Sequence, residues 1–167
     1  METRTPVVIT DIRMPFVSMG HNGTASYSFT VASVDIVDYF DETLHPDERD
    51  GIVAAGFSNG ANIAGSLLFR RPGLLRGAVL LSPMVPYEPE ELPNLEGTSV
   101  FIGAGRSDPI APAAQVERLA SMLRDAGADV VVHWQNAGHT VTKDELDAAQ
   151  RWMAQRITSR AGGEHLR

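Results

Sequence analysis

The feature that most constrains the fold is the alternation of short apolar runs with longer amphipathic segments. Segments with helical spacing of apolar residues lie at 31–44, 61–70 and 116–123. Strands separated by helices of this length pair in parallel through right-handed crossovers. The pattern therefore predicts an α/β fold, a three-layer sandwich with a mostly parallel sheet of about five strands. The five apolar runs that read as strands are 6–10, 52–57, 77–81, 99–104 and 129–135.

A last helix follows the fifth predicted strand. We place its start at Thr142, because Thr142 and Glu145 have the spacing of a capping box. Apolar residues then recur with the period of a helix, so one side of this helix is expected to face the sheet. The predicted inner face consists of Leu146, Ala149, Met153 and Ile157.

Composition limits the classes of protein that fit. The length of 167 residues and the apolar fraction of 43% are those of a single globular domain, 1–167. A net charge of −7 argues against a nucleic-acid partner, which needs a basic patch. The absence of cysteine fits a cytoplasmic protein, and no apolar run reaches the roughly 18 residues of a membrane span. Within the domain we expect an atypical N-terminal part, 1–50, and a polar tail, 159–167.

A serine stands between two glycines where the second predicted strand becomes a helix, in "GFSNG", 56–60. A serine hydroxyl is a weak nucleophile until a base takes its proton, and it must stand clear of its own strand. A sharp strand-to-helix turn achieves this when the flanking residues are small, as Gly56 and Gly60 are. Ser58 is therefore the candidate nucleophile. The alternative is a tight turn with an incidental serine.

Two later strand ends offer partners for this serine. His139, in "AGHT", directly follows the fifth strand, and Asp108, in "GRSDPIAP", follows the fourth. The carboxyl ends of parallel strands share one edge of the sheet, so both side chains are expected near Ser58. Alone, Asp108 would more readily begin a turn before Pro109, and His139 would be an exposed loop residue. The agreement of three strand ends favours a catalytic triad.

The segments "GFSNGANIA", "LLSPMVPYEPE", "GRSDPIAP" and "NAGHTVTKDEL" resemble the α/β-hydrolase superfamily. Within it they are similar to the small carboxylesterase and phospholipase branch related to acyl-protein thioesterases and dienelactone hydrolases. The resemblance spans about 52–157, and the order Ser58, Asp108, His139 is that of this superfamily. It implies serine esterase chemistry on carboxylic esters or thioesters without a cofactor, and no metal site is expected.

The resemblance also implies features around the triad. The backbone N–H of Asn59 is expected to be one oxyanion donor, and the loop 11–23 is the candidate for a second. Such enzymes carry several strands before the serine, whereas only one is evident here before residue 52. We therefore expect a truncated α/β-hydrolase fold, whose exposed N-terminal sheet edge would form a homodimer. The residues expected to line an apolar substrate pocket are Met84, Val85 and Ile110.

The sequence thus favours a serine carboxylesterase that cleaves small carboxylic esters through an acyl-enzyme. Two alternatives stay open at this point. The first is a catalytically impaired hydrolase remnant that binds a ligand or a partner protein through the same pocket. The second is a thioesterase, which the sequence does not separate from an esterase.

Overall fold

The computed structural model describes residues 7–10, 19–21, 25–28 and 52–158. They form seven strands and three α-helices, and the last helix continues into a π-helical turn. The strands are β1 (Val7–Thr10), β2 (Met19–His21), β3 (Ala25–Ser28), β4 (Val53–Phe57), β5 (Gly77–Leu81), β6 (Ser99–Gly105) and β7 (Asp129–Gln135). The helices are α1 (Asn59–Arg70), α2 (Ala113–Asp125) and α3 (Lys143–Met153), and the π-helical turn is Ala154–Thr158.

All seven strands belong to one sheet with the order β2-β3-β1-β4-β5-β6-β7. Every neighbouring pair is parallel except β2 and β3, which pair antiparallel. From β1 the chain goes to β2 and then to β3, which lies beside β1. It later forms β4 on the other side of β1. The order therefore reverses between β1 and β4. Ligands of open α/β sheets bind in the crevice outside the carboxyl ends of the strands at such a reversal.

Helices cover both faces of the sheet. Successive side chains of a strand point to opposite faces, so their packing partners show which helix lies on each face. Ala78 and Leu80 of β5 pack in the same buried cluster as the apolar side chains of α1 and α2. Val79 and Leu81 of the same strand pack with Trp152 of α3. The predicted α/β class, its three layers and its mostly parallel sheet are thereby confirmed. No helix in the described part of the chain is long and apolar enough to cross a membrane.

The number of strands differs from the prediction of about five. Met19–His21 and Ala25–Ser28 form strands within a segment that we expected to be a polar loop. They are three and four residues long and contain Gly, His and Ser, so they lack the continuous apolar run that marks a buried strand. The predicted helix at 31–44 and the predicted tail at 159–167 lie outside the described residues.

The extra strands change the N-terminal edge of the sheet. β1, the one strand predicted before residue 52, pairs with β3 on one side and β4 on the other, so it is an interior strand of the sheet. Among the described strands, β2 is the outermost on this side. A homodimer through the N-terminal edge stays a prediction, now with β2 as its contact. Light scattering tests it, and a monomer at high protein concentration would contradict it.

Helix α3 is rotated relative to the predicted inner face. Its buried residues are Glu145, Ala149 and Trp152, whereas Leu146 is 50% exposed. Ala149 belongs to both sets, Met153 is half-buried, and the side chain of residue 157 lies outside the described part. The large Trp152 side chain and the capping residue Glu145 set the face that meets the sheet. The capping box is confirmed, because the Oγ1 of Thr142 accepts from Glu145 N at 3.2 Å.

Candidate active site

Ser58 lies at the turn from β4 to α1 and has an unusual backbone conformation. Its φ and ψ are 55° and −115°, and among the described non-glycine residues only one other, Ser82, has a positive φ. A side chain in this region is strained by about 1–3 kcal/mol, and such strain persists where the surroundings enforce it. Ser58 N donates to Leu81 O at 2.8 Å, which ties the turn to the end of β5. The backbone of two strands therefore determines the position of the serine.

Gly56 permits the tight turn on which Ser58 stands. A Cβ at position 56 would lie 2.3 Å from the carbonyl carbon and 2.4 Å from the oxygen of Gly60. These are backbone atoms of α1, which cannot move aside as the end of a flexible side chain can. The first turn of α1 thus packs directly on β4, and this close contact explains why the strand carries a glycine two residues before the serine.

Asp108 lies in the loop between β6 and α2, and its carboxyl group is fully buried. Oδ1 accepts from Ile110 N at 2.8 Å and from Ala111 N at 2.9 Å, and Oδ2 faces His139. Burial raises the pKa of Asp108, but the hydrogen bonds from Ala111, His139 and Ile110 outweigh it and hold the pKa below its ordinary value. Asp108 is therefore an ionised carboxylate at neutral pH. Its hydrogen bonds from Ile110 and Ala111 also close the turn before α2, as the alternative interpretation of this residue predicted.

His139 lies between the other two residues. Its Nδ1 is 2.7 Å from Asp108 Oδ2, and its Nε2 is 2.9 Å from Ser58 Oγ. Because a carboxylate only accepts hydrogen bonds, Nδ1 carries the proton and Nε2 is left to accept from the serine hydroxyl. The ring of Phe57 lies 4.9 Å away, centroid to centroid, and the histidine side chain is 16% exposed. The Nδ1 edge of the imidazole is thus held by Asp108, and the Nε2 edge faces the hydroxyl of Ser58.

The loops that carry Asp108 and His139 are joined through their backbones. Arg106 N donates to Gln135 O at 2.8 Å, and Ser107 N donates to Ala137 O at 3.1 Å. A Cβ at Gly105 would lie 2.4 Å from Ala137 O, so this glycine allows the two loops to touch. The distance between Asp108 and His139 is consequently set by main-chain contacts between adjacent strands.

The other predicted site residues occupy the surroundings. Asn59 is the first residue of α1, where a backbone N–H has no acceptor within the helix. Met84 and Val85 are half-buried in the loop after β5, whereas Ile110 is 53% exposed beside Asp108. Of the loop proposed for the second oxyanion donor, residues 11–18 and 22–23 lie outside the described residues, and Met19–His21 is β2.

Three polar residues that sequence reasoning missed support these loops. Asn62 Oδ1 accepts from Met84 N at 2.8 Å, and Gln115 Oε1 accepts from Val85 N at 3.2 Å. Glu145 is buried beneath the histidine loop, where it accepts from the side chain of Gln135 at 2.9 Å. Glu145 shares its helix face with Ala149 and Trp152, which was the only signal for it, and nothing in the sequence marks Asn62 or Gln115.

Two other kinds of site have less support in the described residues. In the described ranges, no group of three or more His, Asp or Glu side chains is placed to hold a metal ion. A cleft of about 290 Å³ lies between β7 and α3, lined by His133, Arg151, Trp152 and their neighbours. It contains none of Ser58, Asp108 and His139, and two of its lining side chains are already paired, Arg156 with Asp129 and His133 with Asp144. The hydrogen-bonded serine, histidine and aspartate are therefore the better candidate for chemistry.

The model of the dienelactone hydrolase family matches residues 23–160. The Bacillus subtilis protein named "Putative hydrolase MhqD" is 43% identical over 129 residues, which are 76% of this chain and 64% of that protein. The chain therefore matches somewhat less than two thirds of that relative's length.

Solved structures agree on the architecture. A Bacillus cereus carboxylesterase superposes with a TM-score of 0.70 and 32% identity, over 93% of this chain and 90% of that one. A carboxylesterase from Mesorhizobium loti superposes with a TM-score of 0.66 over 92% and 90% of the two chains; its identity of 22% shows the shared fold alone. The matched range 23–160 includes the turn at Ser58 and both loops that meet it. The chain belongs to the dienelactone hydrolase family of the α/β-hydrolase superfamily.

Proposed function

We propose that this protein is a serine carboxylesterase that hydrolyses small carboxylic esters through an acyl-enzyme. The observation that carries the proposal is the unbroken hydrogen-bonded series from Ser58 Oγ through His139 to the buried carboxylate of Asp108, with distances of 2.9 and 2.7 Å. Nucleophile, base and orienting acid are within reach of one another. The similarity to a Bacillus cereus carboxylesterase supports the same class of reaction.

The proposed reaction has two halves. Ser58 Oγ attacks the ester carbonyl while His139 Nε2 takes the hydroxyl proton, and a tetrahedral oxyanion forms. His139 then returns that proton to the alcohol as the C–O bond breaks, which leaves an acyl group on Ser58. A water molecule attacks this acyl group with His139 as its base, and the acid departs as Ser58 recovers its proton. Asp108 stays ionised throughout and stabilises the imidazolium.

The oxyanion that forms from the ester carbonyl needs hydrogen-bond donors close to its oxygen. The N–H of Asn59, at the N-terminus of α1, is the proposed first donor, because it lies directly after Ser58 and its helix end favours negative charge. The second donor is proposed to come from the loop 11–23. Loss of one donor typically lowers kcat by about 10²–10³-fold, so this loop bears on the rate.

The pocket residues indicate the size of the acyl group. Met84, Val85 and Ile110 are apolar and at least partly exposed, which suits a short aliphatic or aromatic ester. The loop 83–97 is short for a lid, so polymeric substrates are not expected. The reaction as proposed needs no cofactor, the substrate is the partner, and the expected location is the cytoplasm.

A fluorophosphonate probe and a set of p-nitrophenyl esters test the proposal. We expect the probe to label the wild type at Ser58 and we expect hydrolysis of short acyl chains. Ser58→Ala should abolish both, and Ser121→Ala, an exposed serine of α2, should change neither. Thioesters of the same acyl groups decide between esterase and thioesterase. Absence of labelling together with wild-type hydrolysis no faster than that of Ser58→Ala would favour a binding remnant and overturn the proposal.

A further inference from the structure

A second buried carboxyl lies outside the series formed by Ser58, His139 and Asp108. Glu145, in the first turn of α3, is 0% exposed, and among the described carboxylate side chains only Asp108 is otherwise buried. A buried carboxyl is costly unless it is hydrogen-bonded or neutral. Its side-chain hydrogen bonds from Gln135 and Thr142 both go to one oxygen, Oε2, whereas the buried Oε1 has no hydrogen-bond partner among the described residues. Such a group calls for an explanation beyond the capping of a helix.

The hydrogen bonds of Glu145 lead to the loop that carries His139. Its Oε2 accepts from Gln135 Nε2 at 2.9 Å and from Thr142 N at 3.4 Å. The same Gln135 nitrogen donates to Thr140 O at 3.3 Å, and Gln135 Oε1 accepts from the Thr142 hydroxyl. The carboxyl and the amide therefore connect residue 135, at the start of the loop, with residues 140 and 142 at its end. His139 is the neighbour of Thr140.

The same carboxyl also rests on the strand that leads to Asp108. A Cβ at Gly103 of β6 would lie 2.0 Å from Glu145 Oε1 and 2.7 Å from its Cδ. Glu145 thus occupies the space that a side chain at position 103 would fill, two residues before the end of β6. Its position is fixed from the sheet side by backbone, and from the loop side by hydrogen bonds.

We propose that Glu145 is a positioning residue for the esterase reaction, which acts through Gln135 and the Thr140 carbonyl to hold His139 at hydrogen-bond distance from Ser58. The inference rests on the proposed function and adds to it a residue that touches none of the reacting atoms. Displacement of a base by about 1 Å can lower a rate by about 10²-fold. The network includes none of the residues proposed to line the substrate pocket, so its loss should lower kcat and leave KM nearly unchanged.

Four variants separate this role from a general effect on folding. Glu145→Met keeps the length of the side chain and removes the acceptor, whereas Glu145→Gln keeps an acceptor for Gln135 and Thr142. Gln135→Met removes the link to Thr140 and leaves Glu145 in place. Asp144→Asn is the matched control, because it removes an exposed carboxylate from the same helical turn. All are assayed below the temperature at which circular dichroism shows unfolding.

We expect Glu145→Met and Gln135→Met to lower kcat by roughly 10- to 100-fold with KM within about twofold of the wild type. Glu145→Gln and Asp144→Asn should stay within about threefold of the wild-type kcat. In NMR spectra, the low-field proton of the bond from His139 Nδ1 to Asp108 should broaden in the two methionine variants and persist in the other two. This signal needs no turnover, so it tests the inference even where failure to label Ser58 has overturned the proposed function.

Two results would overturn the inference. One is a folded Glu145→Met or Gln135→Met variant with wild-type kcat and an unchanged low-field proton. The other is a Glu145→Gln variant as impaired as Glu145→Met, which would mean that the acceptor does not matter. If Glu145→Met fails to fold, Gln135→Met decides by the same two measurements.

Discussion

At the scale of single residues, Asp108 decides which nitrogen of His139 carries a proton. Its carboxylate accepts from Nδ1, so Nε2 is available to take the proton of Ser58. In Asp108→Asn the amide can donate to Nδ1, which places the ring proton on Nε2, facing the serine. We expect kcat for p-nitrophenyl butyrate to fall by about 10³–10⁴-fold. Asp125→Asn, an exposed carboxylate of α2, is the control, and a loss below tenfold would contradict the assigned role.

The other buried carboxyl predicts a pH dependence of stability with the opposite sign to that of Asp108. Burial raises the pKa of Glu145 above 4.5, and the hydrogen bonds from Thr142 and Gln135 and the charge of His133 oppose this only in part. The folded state therefore keeps the proton to a higher pH than the unfolded state does. The contribution of Glu145 to stability is greatest below the unfolded pKa and is lost as the pH rises toward the folded pKa.

Glu145→Gln removes this titration and leaves that of Asp108 in place. The free energy of unfolding of the variant, minus that of the wild type, should thus become more positive as the pH rises from about 4 to about 8. Each unit by which the pKa is raised contributes about 1.4 kcal/mol to that change. Urea unfolding at a series of pH values measures it. A difference that stays constant with pH, or that becomes more negative, would contradict a raised pKa of Glu145 in the folded state.

At the scale of elements, the turn between β4 and α1 carries a conformation that glycine adopts more readily than serine. Ser58 has a φ of 55°, and the hydrogen bond from its N–H to Leu81 O prevents relaxation of the turn. Ser58→Ala keeps the strain and Ser58→Gly relieves it. We expect both variants to be inactive. The free energy of unfolding of Ser58→Gly should exceed that of Ser58→Ala by about 1 kcal/mol. Thermal unfolding compares them, and equal midpoints would contradict strain at this residue.

The elements that could be predicted are those with a pattern of their own. β5 and β7 have the predicted bounds because an apolar run marks each of them, 77–81 in β5 and 130–132 in β7, and the capping box located the start of α3 to the residue. β2 and β3 have no such run, and their pairing with the rest of the sheet is a tertiary effect. The predicted inner face of α3 was wrong because it included Leu146 and omitted Glu145 and Trp152, which are buried. Its burial depends on Gly103, a contact distant in sequence.

The candidate site was predictable to the extent that strand ends determine it. Ser58, Asp108 and His139 each follow the carboxyl end of a strand, and parallel pairing brings such ends to one edge. The distances between them depend on contacts that no local pattern encodes, such as Gly105 against Ala137 O. The same holds for the network of Gln135 and Glu145. A chain of residues that are each unremarkable in sequence supports the one histidine that the pattern singled out.

At the scale of the whole molecule, the sheet order places the serine turn beside the reversal between β1 and β4. β4 and β5 end at the same level, since Phe57 pairs with Leu81, and the loops after β6 and β7 extend above them. The loop of Asp108 therefore extends toward Ser58 across β5, and that of His139 across β5 and β6. The candidate catalytic residues lie on turns and loops at the ends of strands. The helices on both faces fix the positions of those strands.

The charge of the whole molecule predicts how kcat/KM for an anionic ester depends on salt. Excess carboxylates give a net charge of −7, which repels anionic substrates at low ionic strength. The screening length falls from about 30 Å at 0.01 M salt to about 10 Å at 0.1 M, so added salt should weaken this repulsion. We expect kcat/KM for an anionic ester, such as the mono-p-nitrophenyl ester of glutarate, to rise by about threefold over this range. The neutral butyrate ester, as the control, should change little. A kcat/KM for the anionic ester that falls with salt would instead indicate local positive charge at the mouth of the site, stronger there than the field of the whole molecule.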